Sequence, residues 1–217
     1  MASGWMVPAP PPRPRGIPNR SLFLVGAVGH FIAAGMAIPF ALFTLGFGFG
    51  FFFGFFSILA IVSGIMMGVA LVIQLVGFYG FWRNYGSRLG LGTFVYGLAA
   101  TAFLLGATAI ETFSRDRFLV FIIFPSVIAL GVMFILDGTA FIVTRHYTNP
   151  GASIAAGVLY IIAGAFVCSI LFSLVGGLVL MPALIIGGIV LVSAQIPVPY
   201  VPPMTYGQPE PQPPLSP

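Results

Sequence analysis

FFSILAIVSGIMMGVALVIQLVGFYGFW, Phe55–Trp82, runs for 28 residues without a charged side chain. A helix crossing a hydrocarbon core of about 30 Å needs about 20 apolar residues, so this run predicts a membrane-spanning helix. The whole chain agrees: 6% of its 217 residues are charged and 59% are hydrophobic, whereas a soluble domain carries about 25% charged residues. No water-soluble fold has enough polar surface in such a sequence.

Working outward, five more apolar runs have spanning length: Ser21–Leu45, Leu89–Ile110, Phe118–Val143, Ser153–Leu174 and Leu178–Ile196. The breaks between runs have local causes. Arg83, Asn84, Gly86 and Arg88 end the second run, and Glu111, Arg115, Asp116 and Arg117 end the third, because such charges belong at headgroup level. Arg145, His146, Asn149 and Pro150 close the fourth, since proline removes a donor and restricts the residue before it. Val175, Gly176 and Gly177 suit a tight hairpin, and Pro182 then falls in the first turn of the last helix, where a missing N–H costs little.

The stretch GFGFGFFFGFF, Gly46–Phe56, alternates like a strand. An open strand edge in lipid would leave backbone groups unpaired at several kcal/mol each. It is read as an interfacial turn, with a re-entrant segment as the alternative.

The expected fold is therefore all-α: a polytopic transmembrane bundle of about six helices paired as three hairpins, with disordered proline-rich tails. Residues 1–20 form the first tail, 21–196 the transmembrane domain and 197–217 the second tail. The first 20 residues lack the apolar core of a signal peptide, so the first run is expected to stay in the mature protein. LVGFYGFWR (Leu75–Arg83) and LDGTAFIVTR (Leu136–Arg145) are weakly alike, a hint of hairpin duplication.

Short cytoplasmic loops are enriched in basic residues. With the N-terminus inside, Arg13, Arg15, Arg20, Arg83, Arg88 and Arg145 face the cytoplasm, and only Arg115 and Arg117 face out. The expected protein is a multi-pass component of the cell membrane with both termini cytoplasmic. Its eight arginines are spread between runs rather than gathered on one face, which argues against a nucleic-acid partner. The partners expected are the lipid bilayer and either other membrane proteins or further copies of the chain.

Small residues four apart mark close helix contacts in lipid. Ala60, Gly64 and Gly68 form one stripe; Gly29, Ala33, Ala37 and Ala41 another; Ala183 and Gly187 a third. The lone Cys168 in an apolar run reads as a small buried residue.

Ionisable groups inside a membrane are expensive and are functional candidates. His30 and Asp137 qualify, joined by the amide Gln74. His30 lies ten residues beyond Arg20, Gln74 nine before Arg83 and Asp137 eight before Arg145, so a rise of 1.5 Å per residue sets all three roughly 12 to 15 Å deep. They are expected to share one layer. Two readings follow: a His–Asp proton site lined by Gln74, or interhelical hydrogen bonds that fix helix register.

His146, beside Arg145 and far from cysteine or carboxylate partners, reads as solvated and not as a metal ligand. No nucleophile motif appears, and four acidic residues are too few for acid–base pairs on one face. The sequence therefore implies no enzyme, no cofactor and no metal. PAPPPRPRGIP and IPVPYVPPMTYGQPEPQPPLSP should be extended and polyproline-like, serving as spacers or weak docking arms; Pro8, Pro11 and Arg13 match a PxxPxR pattern.

GFYGFWRNYGSRLG (Gly77–Gly90), a glycine-spaced helix ending in an aromatic, basic turn, resembles small multispanning archaeal membrane proteins of uncharacterised function. The Gly- and Ile-rich Tyr160–Ile196 region is similar to them too. The resemblance implies an inner-membrane location and adds no site residue. The leading functional expectation is a non-enzymatic structural or assembly component of the membrane. The alternative is a small proton-coupled transporter or channel using His30, Gln74 and Asp137.

Overall fold

The computed structural model describes residues 19–49, 54–113, 120–169 and 172–195, and all regular structure among them is helical. Six α-helices follow one another: α1 Ser21–Phe49, α2 Gly54–Tyr85, α3 Arg88–Phe113, α4 Val120–Thr144, α5 Pro150–Cys168 and α6 Ser173–Val192. A short 3-10 turn, Arg145–Tyr147, follows α4. Each α-helix is long and apolar enough to cross a membrane. The chain is a multispanning membrane protein.

The three sequential pairs pack together, and α2 on α3, α4 on α5 and α6 on α1 complete a ring. α3 is seated least extensively, touching α2 and α4. Valines at 28, 62, 95 and 143 and Ile189 stand more than half exposed on the outside, as lipid-facing residues must. Inside are Phe78, Phe81, Phe134 and Phe141 with Leu71, Leu75, Leu130 and Leu184, all at 0% exposure.

Glycines set the spacing of the ring because lipid-embedded helices associate through close van der Waals contact. On α4 and α5, a Cβ added to Gly157 would stand 2.7 Å from the Gly138 carbonyl, and one on Gly164 2.5 Å from the Gly131 carbonyl. Between α1 and α2, Gly26 abuts Gly77, and Gly29 abuts the Gln74 backbone. Farther along α1, Ala37 and Ala41 receive Gly177 of α6. The stripe expected at Gly29, Ala33, Ala37 and Ala41 thus serves two neighbours, and Gly68 takes the Leu105 side chain of α3.

Several boundaries differ from expectation. α1 continues to Phe49 and α2 begins at Gly54, so most of the expected Gly46–Phe56 turn is helical. Residues 50–53 lie outside the described residues, as do 1–18 of the first tail, the whole second tail and residues 114–119. Pro150 opens α5 at its first turn, where its missing N–H is free of cost, and Asn149 caps the helix by accepting from the Ala152 N–H at 3.2 Å.

The α5–α6 hairpin falls earlier than Val175–Gly177. α5 ends at Cys168 and α6 begins at Ser173. Gly176 and Gly177 are helical, and their missing side chains admit Val167 of α5 and Ala41 of α1. Pro182 therefore sits in the helix interior. Such a proline is tolerated in a bundle because neighbours and local adjustment absorb the freed backbone group.

Candidate functional site

Five helices bring their polar residues and small faces to one level. His30 on α1, Gln74 on α2, Asp137 on α4 and Tyr160 on α5 are all at 0% exposure, beside Gly187 of α6. Gln74 Nε2 donates to Asp137 Oδ2 at 2.9 Å and to the Tyr160 hydroxyl at 3.4 Å. That amide joins three helices.

His30 stands in an aromatic box. Its ring meets Phe141 edge-on at 5.8 Å and Tyr160 at 6.2 Å, with Phe78 tilted at 6.1 Å. Its Nδ1 lies 2.8 Å from the Gly26 carbonyl, one turn earlier on its own helix. A carbonyl only accepts, so Nδ1 carries the hydrogen and the neutral ring leaves Nε2 as a lone-pair acceptor.

Of the expected layer, Gln74 bonds Asp137 and both it and His30 lie against Tyr160, so the hydrogen-bonded pair is Gln74 with Asp137. His30 bonds its own helix instead. Four buried side-chain atoms among the described residues have no hydrogen-bond partner, and three of them are here: His30 Nε2, Gln74 Oε1 and Asp137 Oδ1. The fourth is Thr93 Oγ1 on α3.

Tyr160 belongs to the layer and was not anticipated, because a neutral phenol draws no attention in a count of ionisable groups. One signal was available. Tyr160 lies ten residues beyond Pro150, as His30 lies ten beyond Arg20.

A second polar cluster ties together the first and last described residues, Asn19 and Gln195. The Asn84 side chain accepts from the Asn19 N–H at 2.9 Å and donates to the Asn19 carbonyl at 3.1 Å. Next to it, Tyr85 stacks on Tyr147 at 4.1 Å, and its hydroxyl donates to the Gln195 carbonyl. The Gln195 N–H donates to the Tyr147 carbonyl at 3.0 Å. Gly86, at φ +70°, turns the chain into α3, which Ser87 opens by accepting from the Gly90 N–H at 3.1 Å. His146 is exposed beside this turn and lines a small open pocket with Arg88 and Tyr147.

No family model matches the chain, and no curated protein or solved structure matches it either.

Proposed function

We propose that this multispanning protein is a non-enzymatic assembly component of the cell membrane, with α3 packing against a transmembrane helix of a second copy or of another membrane protein. The outward face of α3 carries the reading. Gly92, Ala99, Ala102, Gly106 and Ala109 are exposed along it, at spacings of three, four and seven that keep them on one seam. A Cβ at Gly92 or Gly106 would meet nothing within 4 Å.

Elsewhere in the ring, inward glycines let a neighbouring backbone approach. Gly92 and Gly106 have no such use among the described residues, although glycine in a helix interior costs about 1 kcal/mol relative to alanine. Small residues facing outward in lipid suit contact with another helix. The arginine distribution supports placing both termini in the cytoplasm.

The test is a single cysteine at Ala102 in a Cys168→Ser background, oxidised in native membranes. The expected result is an adduct at the mass of a dimer or of one defined companion. Adding Gly106→Leu should abolish it, and a control cysteine at the exposed Val158 of α5 should give none. Absence of any adduct from position 102 would overturn the proposal.

A further inference from the structure

Where α2 and α4 end and α3 begins, the bundle opens into a cavity of about 270 Å³. The spanning segments Val62–Tyr85 and Phe124–Tyr147 finish there and Arg88–Ile110 starts, so the cavity lies where a bilayer exchanges hydrocarbon for headgroups. Its walls are braced. Tyr85 and Tyr147, both part of the lining, stack on each other at 4.1 Å, and Gln195 bonds the hydroxyl of the first and the carbonyl of the second.

The rest of the lining is divided by chemistry. Arg88 and His146 are exposed, and neither side chain has a hydrogen-bond or ion-pair partner among the described residues. Leu89 and Val143, the latter 55% exposed, supply an apolar wall. On each side the polar residue stands nearer the helix end than the apolar one: Arg88 opens α3 ahead of Leu89, and His146 follows Val143 beyond the end of α4.

No carboxylate among the described residues balances Arg88. Glu111 lies 23 positions farther along α3, about 35 Å at 1.5 Å per residue, and Asp137 is bonded to Gln74 inside the bundle. Guanidinium and imidazole N–H groups call for an anion with several acceptor oxygens, which a phosphate provides. With no acidic side chain beside it, the cavity offers no ion pair to the ammonium of a zwitterionic headgroup. The apolar wall favours a phosphate that carries hydrocarbon over a free one.

We propose that this cavity binds one anionic phospholipid, its phosphate held by Arg88 and His146 and the first part of an acyl chain lying on Leu89 and Val143.

The full chain, delipidated in detergent, is titrated with phosphatidylglycerol or phosphatidylcholine, and bound lipid is read by native mass spectrometry. One phosphatidylglycerol per chain is expected to bind saturably and more tightly than phosphatidylcholine. Arg88→Gln should weaken that binding about tenfold or more, the effect of losing a hydrogen bond to a charged group. Arg83→Gln removes the same charge from the last turn of α2, outside the cavity, and should leave binding unchanged. Both arginines are exposed, so neither change threatens the fold. Excess glycerol phosphate, which has the phosphate without the hydrocarbon, should not displace the lipid. Equal affinity for the two lipids, or equal losses from Arg88→Gln and Arg83→Gln, would overturn the proposal; so would displacement by glycerol phosphate, which would make the ligand a soluble phosphate.

Discussion

Replacing Gln74 by leucine removes the only hydrogen-bond partner of Asp137 Oδ2 among the described residues and leaves both carboxyl oxygens bare in the bundle centre. A buried acceptor stripped of its donor costs about 1–3 kcal/mol. The reverse change, Asp137→Leu, leaves Gln74 Nε2 with the weaker Tyr160 contact at 3.4 Å, and about 1–2 kcal/mol is expected for it. If the two residues acted independently, the double variant would lose about 2–5 kcal/mol, the sum of those ranges. With both polar groups gone, nothing is left unmatched between α2 and α4, and two branched apolar side chains replace the pair. Intramembrane hydrogen bonds couple by about 0.6 kcal/mol on average and at most about 1.7. The double variant should therefore fall short of the additive loss by about that amount. Unfolding in mixed micelles by added SDS, followed by tryptophan fluorescence, yields all four stabilities. Losses that add within about 0.3–0.5 kcal/mol, the scatter expected of unconnected sites, would refute a direct Gln74–Asp137 contact.

Gly138→Ala should destabilise the bundle by about 1–3 kcal/mol because its methyl meets the Gly157 backbone. Gly106→Ala, facing open space, should instead be neutral or stabilising by up to about 1 kcal/mol in the detergent-solubilised monomer; equal effects in the same titration would contradict the packing account. Asn149→Ala removes the cap of α5 and should cost about 1 kcal/mol, largely restored by Asn149→Ser, and a Ser variant no better than Ala would remove the cap as cause. A reporter active only in the cytoplasm, fused to the C-terminus, should be active; activity of an exported reporter there would reverse the proposed orientation.

The number and order of helices were legible because each apolar run approaches the thickness of a bilayer and charges separate most runs. What was not legible turned on neighbours. Gly176 and Gly177 look like a break in one dimension, yet in three they are contact points for Val167 and Ala41. Gly46–Phe49 likewise carries no local instruction that forbids helix, and α1 runs through it. Depth along a helix can be counted from its end, which is why His30, Gln74 and Asp137 were expected together. Rotation about the axis cannot be counted so simply, and it decides that Asp137 meets Gln74 while His30 turns to the Gly26 carbonyl. Tyr160 shows the same limit from the other side, its hydroxyl becoming relevant only once α5 is placed against α2.

Asn84 and Tyr85 are consecutive, yet one clasps Asn19 and the other Gln195, so the first and last described residues are moored on a single turn of α2. Whatever precedes Asn19 and follows Gln195 starts from neighbouring points on one side of the bundle. A protein that gripped both proline-rich arms would engage a bivalent handle, the second grip being favoured by the local concentration that the first creates. Cutting the mooring at Asn84 would loosen one of those two origins and weaken such a grip without altering any residue that the protein touches.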